Sequence, residues 1–155
     1  MPPNVHVFLD ASVLFSAAHS ESGGARLILK MGEAGVISLW VGPWVVREAD
    51  GALARRSPKS KPHFALLLDR AQVRVGEEAS ADALRQAMAA LDYAPDAQVL
   101  AEALTVGVDY FVSFDRKYLV GNPRVAQFPF PIGTPADFLA WYREMIGEQS
   151  DDVVP

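Results

Sequence analysis

The chain has 155 residues, of which 50% are hydrophobic and 21% charged, with a net charge of −5 and no cysteine. This suits one globular domain, excludes disulfides, thiolate metal sites and a cysteine nucleophile, and argues against a general nucleic-acid coat or a membrane-surface protein. No apolar run is long enough to span a bilayer, and the N-terminus lacks the pattern of a secretory signal. We therefore expect a cytoplasmic protein without a membrane partner.

Strand-like and helix-like segments alternate along the chain. The apolar run at 5–9 is typical of a buried strand. Residues 56–62 contain two prolines and two serines and are predicted as a loop, and the prolines within 128–132 restrict that segment to an edge strand or a coil. The other predicted elements are helices at 12–18 and 25–34, a strand at 36–41, helices from 43 and at 64–70, an edge strand at 71–75, helices at 81–91 and 95–106, a strand at 110–114 and a last helix from 135.

Strands separated by helices indicate an α/β fold in which a central parallel sheet is covered on both faces, that is, three α/β/α layers. The sequence contains no internal repeat and no sign of a second domain. We expect a single domain over residues 1–147, followed by an acidic and flexible tail at 148–155.

Two aspartates follow strands. Asp10 comes directly after the first strand and Asp115 after the strand at 110–114, and ligands of parallel sheets bind outside the carboxyl ends of the strands. Each aspartate has an alternative role as the cap of the turn that follows it. Asp109 precedes its strand, so it is expected at the opposite end of the sheet.

Two more acids lie on predicted helices. Glu48 shares a helix face with Val45 and Ala49 and is predicted to point inward; its alternative is the edge of that face, reaching water or an arginine. Asp96 heads an apolar stripe in the first turn of its helix, where it also complements the helix dipole. Glu102 lies off that stripe and is predicted to be solvated.

Four carboxylates gathered in one cleft would need a common cause. Two unit charges about 4 Å apart at an effective dielectric near 20 repel by about 4 kcal/mol, so such a cluster requires cations or extra protons. Oxygen-only ligands favour Mg²⁺ or Mn²⁺, which can lower the pKa of a water molecule and stabilise charge on a phosphate. The acids therefore predict a site for a hard metal ion.

The chain resembles the PIN domain from Val5 to about Met145, through the segments 8–14, 95–101 and 107–115 with Glu48 between them. The resemblance implies an endoribonuclease that hydrolyses RNA phosphodiester bonds with a metal-activated water, a class that includes VapC-type toxins of toxin–antitoxin pairs. It also implies a homodimer and, for a toxin, an antitoxin that covers the cleft. The metal-binding and catalytic residues that it implies are Asp10, Glu48, Asp96 and Asp115, served by Mg²⁺ or Mn²⁺.

Two positions depart from the commonest PIN pattern. Ser12 stands where asparagine is frequent, and Ser113 where threonine is frequent. Both keep a hydroxyl group, so each can still hydrogen-bond to a metal ligand.

A local basic stretch accompanies the acids. Residues 47–74 carry seven Lys and Arg against three acids. Such a stretch suits local contacts to an RNA backbone, although a solvated basic segment would look the same. The RNA-binding candidates are Arg55, Arg56, Lys59 and Lys61.

Two other classes of protein compete with the nuclease. A catalytically inert PIN-like module would bind RNA or a protein partner, but all four matching acids are present. A receiver or haloacid-dehalogenase-like domain would need a second acid close to Asp10, and Ala11 and Ser12 follow it instead. The nuclease is the hypothesis that the sequence favours.

Overall fold

Five parallel strands form one sheet in the order β3-β2-β1-β4-β5 in the computed structural model of this protein, which describes residues 4–153 and the side chains of residues 4–147. Helices flank the sheet in three α/β/α layers, as predicted. The strands are β1 Val5–Leu9, β2 Ile37–Val41, β3 Arg74–Val75, β4 Tyr110–Val112 and β5 Ile132–Gly133. The α-helices are α1 Ala11–His19, α2 Gly24–Glu33, α3 Pro43–Arg56, α4 Lys61–Arg70, α5 Ala81–Ala90, α6 Ala94–Val106 and α7 Pro135–Val153.

Apart from the partly exposed His6, the residues of the two central strands β1 and β4 are hydrophobic and buried, which is what a sheet covered on both faces requires. Leu9 of β1 is paired with Val112 of β4. This register puts the next residue of each strand, Asp10 and Ser113, at the same edge of the sheet. Since the strand order reverses between β1 and β4, this edge is also where open α/β sheets form their ligand crevice.

Helix α6 forms one side of the crevice. It packs against α5 and α3, with Ala97, Leu100 and Ala101 completely buried. It ends at Gly107, whose φ of 78° is the left-handed conformation that glycine adopts without strain. The helix therefore holds Asp96, in its first turn, close to the N-terminal half of α3.

The predicted loop at 56–62 is wrong. Helix α3 continues to Arg56, a 3₁₀ turn covers Pro58–Ser60, and α4 begins at Lys61. Both prolines lie in the first turn of a helical segment, where their missing N–H has no partner to lose. Composition therefore located the break between two helices but overestimated its length.

The remaining boundaries differ by a few residues. The edge strand predicted at 71–75 is reduced to Arg74–Val75, because Ala71 still caps α4 and Gln72 takes a positive φ of 58°. Strand β5 begins after the prolines of 128–132, at the edge of the sheet.

The last helix, α7, continues to Val153 and so includes most of the acidic segment at 148–155. The side chains of that segment and residues 154 and 155 lie outside the described part of the chain, and its flexibility stays a prediction. Within residues 4–153, no helix is both long enough and apolar enough to cross a membrane.

Candidate metal centre

Asp10 is the N-cap of α1 and also faces the crevice. It is 8% exposed, and its two carboxylate oxygens accept hydrogen bonds from the Ala11 amide at 2.8 Å and the Ser113 hydroxyl at 2.7 Å. Burial raises the pKa of Asp10, and the charge of Asp115 raises it further. The two hydrogen bonds lower the pKa but offset only part of this rise. The capping role and a role in the site are therefore compatible.

Ser113 connects the two strand-end aspartates. Its side chain is completely buried; the hydroxyl donates to Asp10 and accepts from the amide of Asp115 at 3.0 Å. Ser12 makes a second link, since its hydroxyl accepts from the amide of Phe114 at 3.3 Å. Both serines thus tie the start of α1 to the segment that follows β4.

Asp115 is half-buried and orders the turn after it. One oxygen, Oδ1, accepts from the amides of Lys117 and Tyr118, each at 3.0 Å. These bonds fix the direction of the carboxylate. The alternative reading of Asp115 as a cap is correct in its geometry, although residues 116–120 form a turn rather than a helix.

Asp96 is a strongly perturbed acid of the crevice. Its pKa is raised to about 8, first by burial, then by the contact of its carboxyl group with that of Asp115, and then by the charges of Asp115, Asp10 and Glu48. One oxygen, Oδ2, is buried without a hydrogen-bond partner among the described residues. A buried and unpartnered carboxylate oxygen surrounded by other carboxylates is costly without a cation or a proton.

Glu48 is placed differently from the prediction. It is exposed, whereas Val45, Ala49 and Leu53 form the buried face of α3. Its position at the edge of that face is the alternative that the sequence left open. Partial burial of its carboxyl group and the charge of Asp10 raise the pKa of Glu48, so it still belongs to the rim of the crevice.

Glu102 is the residue that sequence reasoning missed. It was predicted to be solvated but is 1% exposed, and both of its oxygens accept from the amide of Trp44, at 3.0 and 3.2 Å. Burial raises the pKa of Glu102, and the hydrogen bond from Trp44 and the charge of Arg47 offset part of this rise. The carboxylate therefore caps the N-terminus of α3 from the neighbouring helix.

Gly42 is needed for this contact. A Cβ at position 42 would lie 2.8 Å from the Cβ of Glu102 and closer still to its carboxyl group. Gly42 is also the N-cap of α3 and makes no side-chain cap bond. That missing cap was the available signal, because the first amides of a helix need acceptors from somewhere.

The four predicted acids interact, but they do not converge on one point. As the side chains stand, the described residues contain no group of three His, Cys, Asp or Glu arranged to hold a metal ion. The reasons are visible in the contacts: both oxygens of Asp10 and one of Asp115 accept hydrogen bonds, and Glu48 is exposed. The donor set, all carboxylate oxygen, and the unpartnered oxygen of Asp96 nevertheless fit a hard divalent cation in chemistry.

The predicted basic residues are divided among different surroundings. Arg55 lines an open cavity beside Glu48. Lys61 is paired with Asp50 at 3.2 Å. Arg56 and Lys59 are exposed, and a role of the four candidates in RNA binding stays a prediction.

A further prediction concerns the opposite end of the sheet. Asp109 accepts from the amide of His6 at 2.8 Å, and its own amide donates to the carbonyl of His6, which places Asp109 away from the acidic crevice as expected. The His6 side chain in turn accepts a hydrogen bond from the indole of Trp40 at 3.0 Å.

Comparisons with known proteins identify the fold. PAE2754 from Pyrobaculum aerophilum is 20% identical, with a TM-score of 0.58 over 90% of each chain. VapC20 of Mycobacterium tuberculosis, described as a sarcin-ricin loop cleaving toxin, is also 20% identical, with a TM-score of 0.52 over 70% of this chain and 89% of its own. No protein-family model and no curated protein sequence matches the chain. These likenesses show a PIN-like fold, as the sequence predicted.

Proposed function

We propose that this protein is a Mg²⁺- or Mn²⁺-dependent endoribonuclease whose site consists of Asp10, Glu48, Asp96 and Asp115. The observation that carries the proposal is the state of Asp96, which has a pKa of about 8 and interacts with all three other acids. One of its oxygens is buried and has no hydrogen-bond partner within the described part of the chain. A divalent cation would relieve both conditions. The similarity in fold to a toxin described as cleaving the sarcin-ricin loop supports RNA as the substrate.

The surroundings of the four acids suggest how each would take part in binding the cation. Asp96 and Asp115, whose carboxyl groups are in contact, would hold the cation together with Asp10, and Glu48 would join from the rim by a change of side-chain conformation. Once bound, the cation supplies Lewis acidity toward the phosphate and lowers the pKa of water. The chain itself keeps Asp10 in place through Ser113 and orients Asp115 through the amides of Lys117 and Tyr118.

The same proposal includes partners. An RNA strand is the substrate, and an antitoxin that covers the crevice and a second copy of this chain are the proposed protein partners, by analogy with VapC-type toxins. The alternative, an inert PIN-like module, is favoured by one observation, namely that no three ligands are already converged among the described residues. A cleavage assay separates the two functions.

The test is RNA cleavage with Mn²⁺ or Mg²⁺ titrated into metal-free protein. We expect Asp10→Asn and Asp115→Asn each to abolish cleavage, while the unfolding temperature in EDTA stays equal or rises, because each removes charge from a crowded site. Asp109→Asn is the matched control, since Asp109 lies at the other end of the sheet and should leave the rate unchanged. Cleavage at the wild-type rate in both site variants, or no cleavage by the wild type at any metal concentration, would overturn the proposal.

A further inference from the structure

A stacked pair of tyrosines lies beside the acidic crevice. The rings of Tyr93 and Tyr118 are 4.8 Å apart and inclined by only 13°. Tyr93 precedes α6 and is three residues before Asp96, and the amide of Tyr118 donates to Asp115. The pair is therefore fixed to both of the segments that carry these two acids.

Tyr93 keeps a large part of its surface open. It is 45% exposed although its ring is stacked on Tyr118. Because Tyr118 covers one face of the ring, the exposed area of Tyr93 lies mainly on the other face and the edges. An exposed aromatic face of this kind can accept a nucleobase, whose own flat surface stacks regardless of sequence.

Tyr93 and Glu48 line the same open cavity, of about 430 Å³, together with Trp44, Arg47, Arg55 and Pro95. The volume falls within the range of clefts that take small organic ligands. The guanidinium of Arg47 lies 5.8 Å from the centre of the Trp44 ring. Neither Arg47 nor Arg55 forms an ion pair with any other residue that the structure describes.

The cavity thus combines an aromatic face, two cations and a direct connection to the rim of the acidic crevice. Arginines next to exposed aromatic rings are typical of surfaces that bind single-stranded nucleic acid, where bases stack and cations follow the phosphates. A base within a duplex has both faces covered by its neighbours and cannot stack on a protein ring. With a net charge of −5, the chain has little general attraction for RNA, so its affinity must come from local contacts such as these.

We propose that this cavity is a subsite for one unpaired base of single-stranded RNA, which stacks on Tyr93 while Arg47 and Arg55 contact the neighbouring phosphates. The subsite rests on the proposed nuclease function for its position next to the bond to be cut. It makes single-stranded RNA, or an unpaired loop, the substrate class. The binding itself does not depend on catalysis and can be measured without it.

The experiment measures binding of a short fluorescent RNA by anisotropy, with wild-type protein in EDTA and with the Asp10→Asn variant in Mn²⁺. We expect Tyr93→Leu to weaken binding of the single strand about 5- to 150-fold, the effect of losing one stacked base. Tyr93→Phe keeps the aromatic face and should retain the affinity. An RNA with one abasic position should bind wild-type protein more weakly at the position that enters the cavity, and Tyr93→Leu should remove that difference.

The arginines are tested by salt dependence. Arg55→Ala should reduce the slope of log affinity against log salt by about 0.7, the share of one phosphate contact on a single strand. The matched control is Arg85→Ala, an exposed arginine on α5 paired with Asp82, which should leave the slope unchanged. An equal loss of slope in both variants would contradict the assignment of Arg55.

Three results would overturn the subsite: an RNA affinity unchanged by Tyr93→Leu, which would leave the cavity to a protein partner; duplex RNA bound as tightly as the single strand; or no RNA bound at all. Failure of the nuclease proposal is seen separately. If stacking at Tyr93 is found but no metal supports cleavage, the subsite stands and the catalytic function falls. If RNA is cleaved but Tyr93→Leu does not change RNA binding or cleavage, the catalytic function stands and the subsite falls.

Discussion

The hydroxyl of Ser113 hydrogen-bonds at once to the side chain of Asp10 and to the backbone of Asp115. It is completely buried, and its removal would take a hydrogen-bond partner from both groups. Hydrogen bonds to a metal ligand typically set its orientation and its basicity. Ser113 is thus the residue through which the two strand-end acids keep their relative position.

We expect Ser113→Ala to lower the affinity for Mn²⁺ about 10- to 100-fold, as measured by titration calorimetry, because Asp10 loses a donor and the amide of Asp115 loses its acceptor. Ser113→Thr keeps the hydroxyl and should restore most of the affinity. If the alanine and threonine variants bind Mn²⁺ equally well, the bridge has no role in the site.

The protonation of Asp96 makes the stability of the folded protein depend on pH. Its pKa is raised from an ordinary value of 3.8 to about 8 in the folded protein, so between these values the folded state binds a proton that the unfolded state has released. A group of this kind stabilises the fold at low pH, and that stability is lost as the pH rises through the folded pKa. Above pH 8 the charged carboxylate remains, and only a cation can offset it.

In EDTA, we therefore expect the free energy of unfolding of the wild type to fall relative to that of Asp96→Asn as the pH rises from about 4 to 8. The difference in slope should approach about one bound proton, because the asparagine does not titrate. Urea unfolding at several pH values measures it. Parallel pH profiles for the two proteins would show that Asp96 is not perturbed in this way.

At the scale of elements, the crevice depends on how α6 meets α3. Helix α6 carries both Asp96 and Glu102, and the carboxylate of Glu102 receives the amide of Trp44 in the first turn of α3. Glu48 follows one turn later on α3. Gly42 allows Glu102 to approach the start of α3. This contact therefore helps to set the distance between Asp96 on α6 and Glu48 on α3.

We expect Glu102→Ala to destabilise the protein by about 1–3 kcal/mol, since a helix amide loses its acceptor, and to speed hydrogen exchange at the Trp44 amide. Glu102→Gln keeps one acceptor oxygen and should lose less. The affinity for Mn²⁺ should follow the same order, with the alanine variant the weakest. Unchanged exchange at Trp44 in the alanine variant would show that the bond is not important for holding α3.

At the scale of the whole molecule, the crowding of acids makes folding and metal binding one linked equilibrium. A cation that binds only the folded state stabilises it by about 2.7 kcal/mol at a concentration 100 times its dissociation constant. For a domain of this size, 1 kcal/mol corresponds to a shift in Tm of about 2–4 °C. The folded protein gains this stabilisation only if the side chains of the crevice rearrange around the ion.

We thus expect Mn²⁺ at 100 times its dissociation constant at pH 8 to raise the Tm by about 5–11 °C. The same concentration of Mn²⁺ should raise the Tm less at pH 6, because protons compete for Asp96 at the lower pH. Differential scanning calorimetry in Mn²⁺ and in EDTA measures the shift. Asp109→Asn should keep it and Asp115→Asn should lose it. A shift of equal size in both variants would place the cation elsewhere.

The sequence by itself determined the architecture and the positions of Asp10 and Asp115 at the carboxyl ends of two strands. Apolar runs that end in Asp10 and Ser113-Phe114-Asp115 are local patterns, and a parallel sheet brings the carboxyl ends of its strands to one edge whatever the rest of the chain does. The opposite position of Asp109 follows from the same rule, whereas the PIN-like fold was implied by the resemblance of the sequence to that family. The exposure of Glu48 did not, because helical periodicity gives an angle around the helix axis and not the depth of the surface above it.

Tertiary structure alone decided which distant side chains meet. Glu102 is 58 residues from Trp44, and no local pattern shows that a carboxylate on one helix completes the first turn of another. The stacking of Tyr93 on Tyr118 and the cavity that it shares with Arg55 arise in the same way. Periodicity and spacing describe neighbours along one element, whereas the surroundings of a carboxylate, and hence its pKa, are set by the packing of several elements.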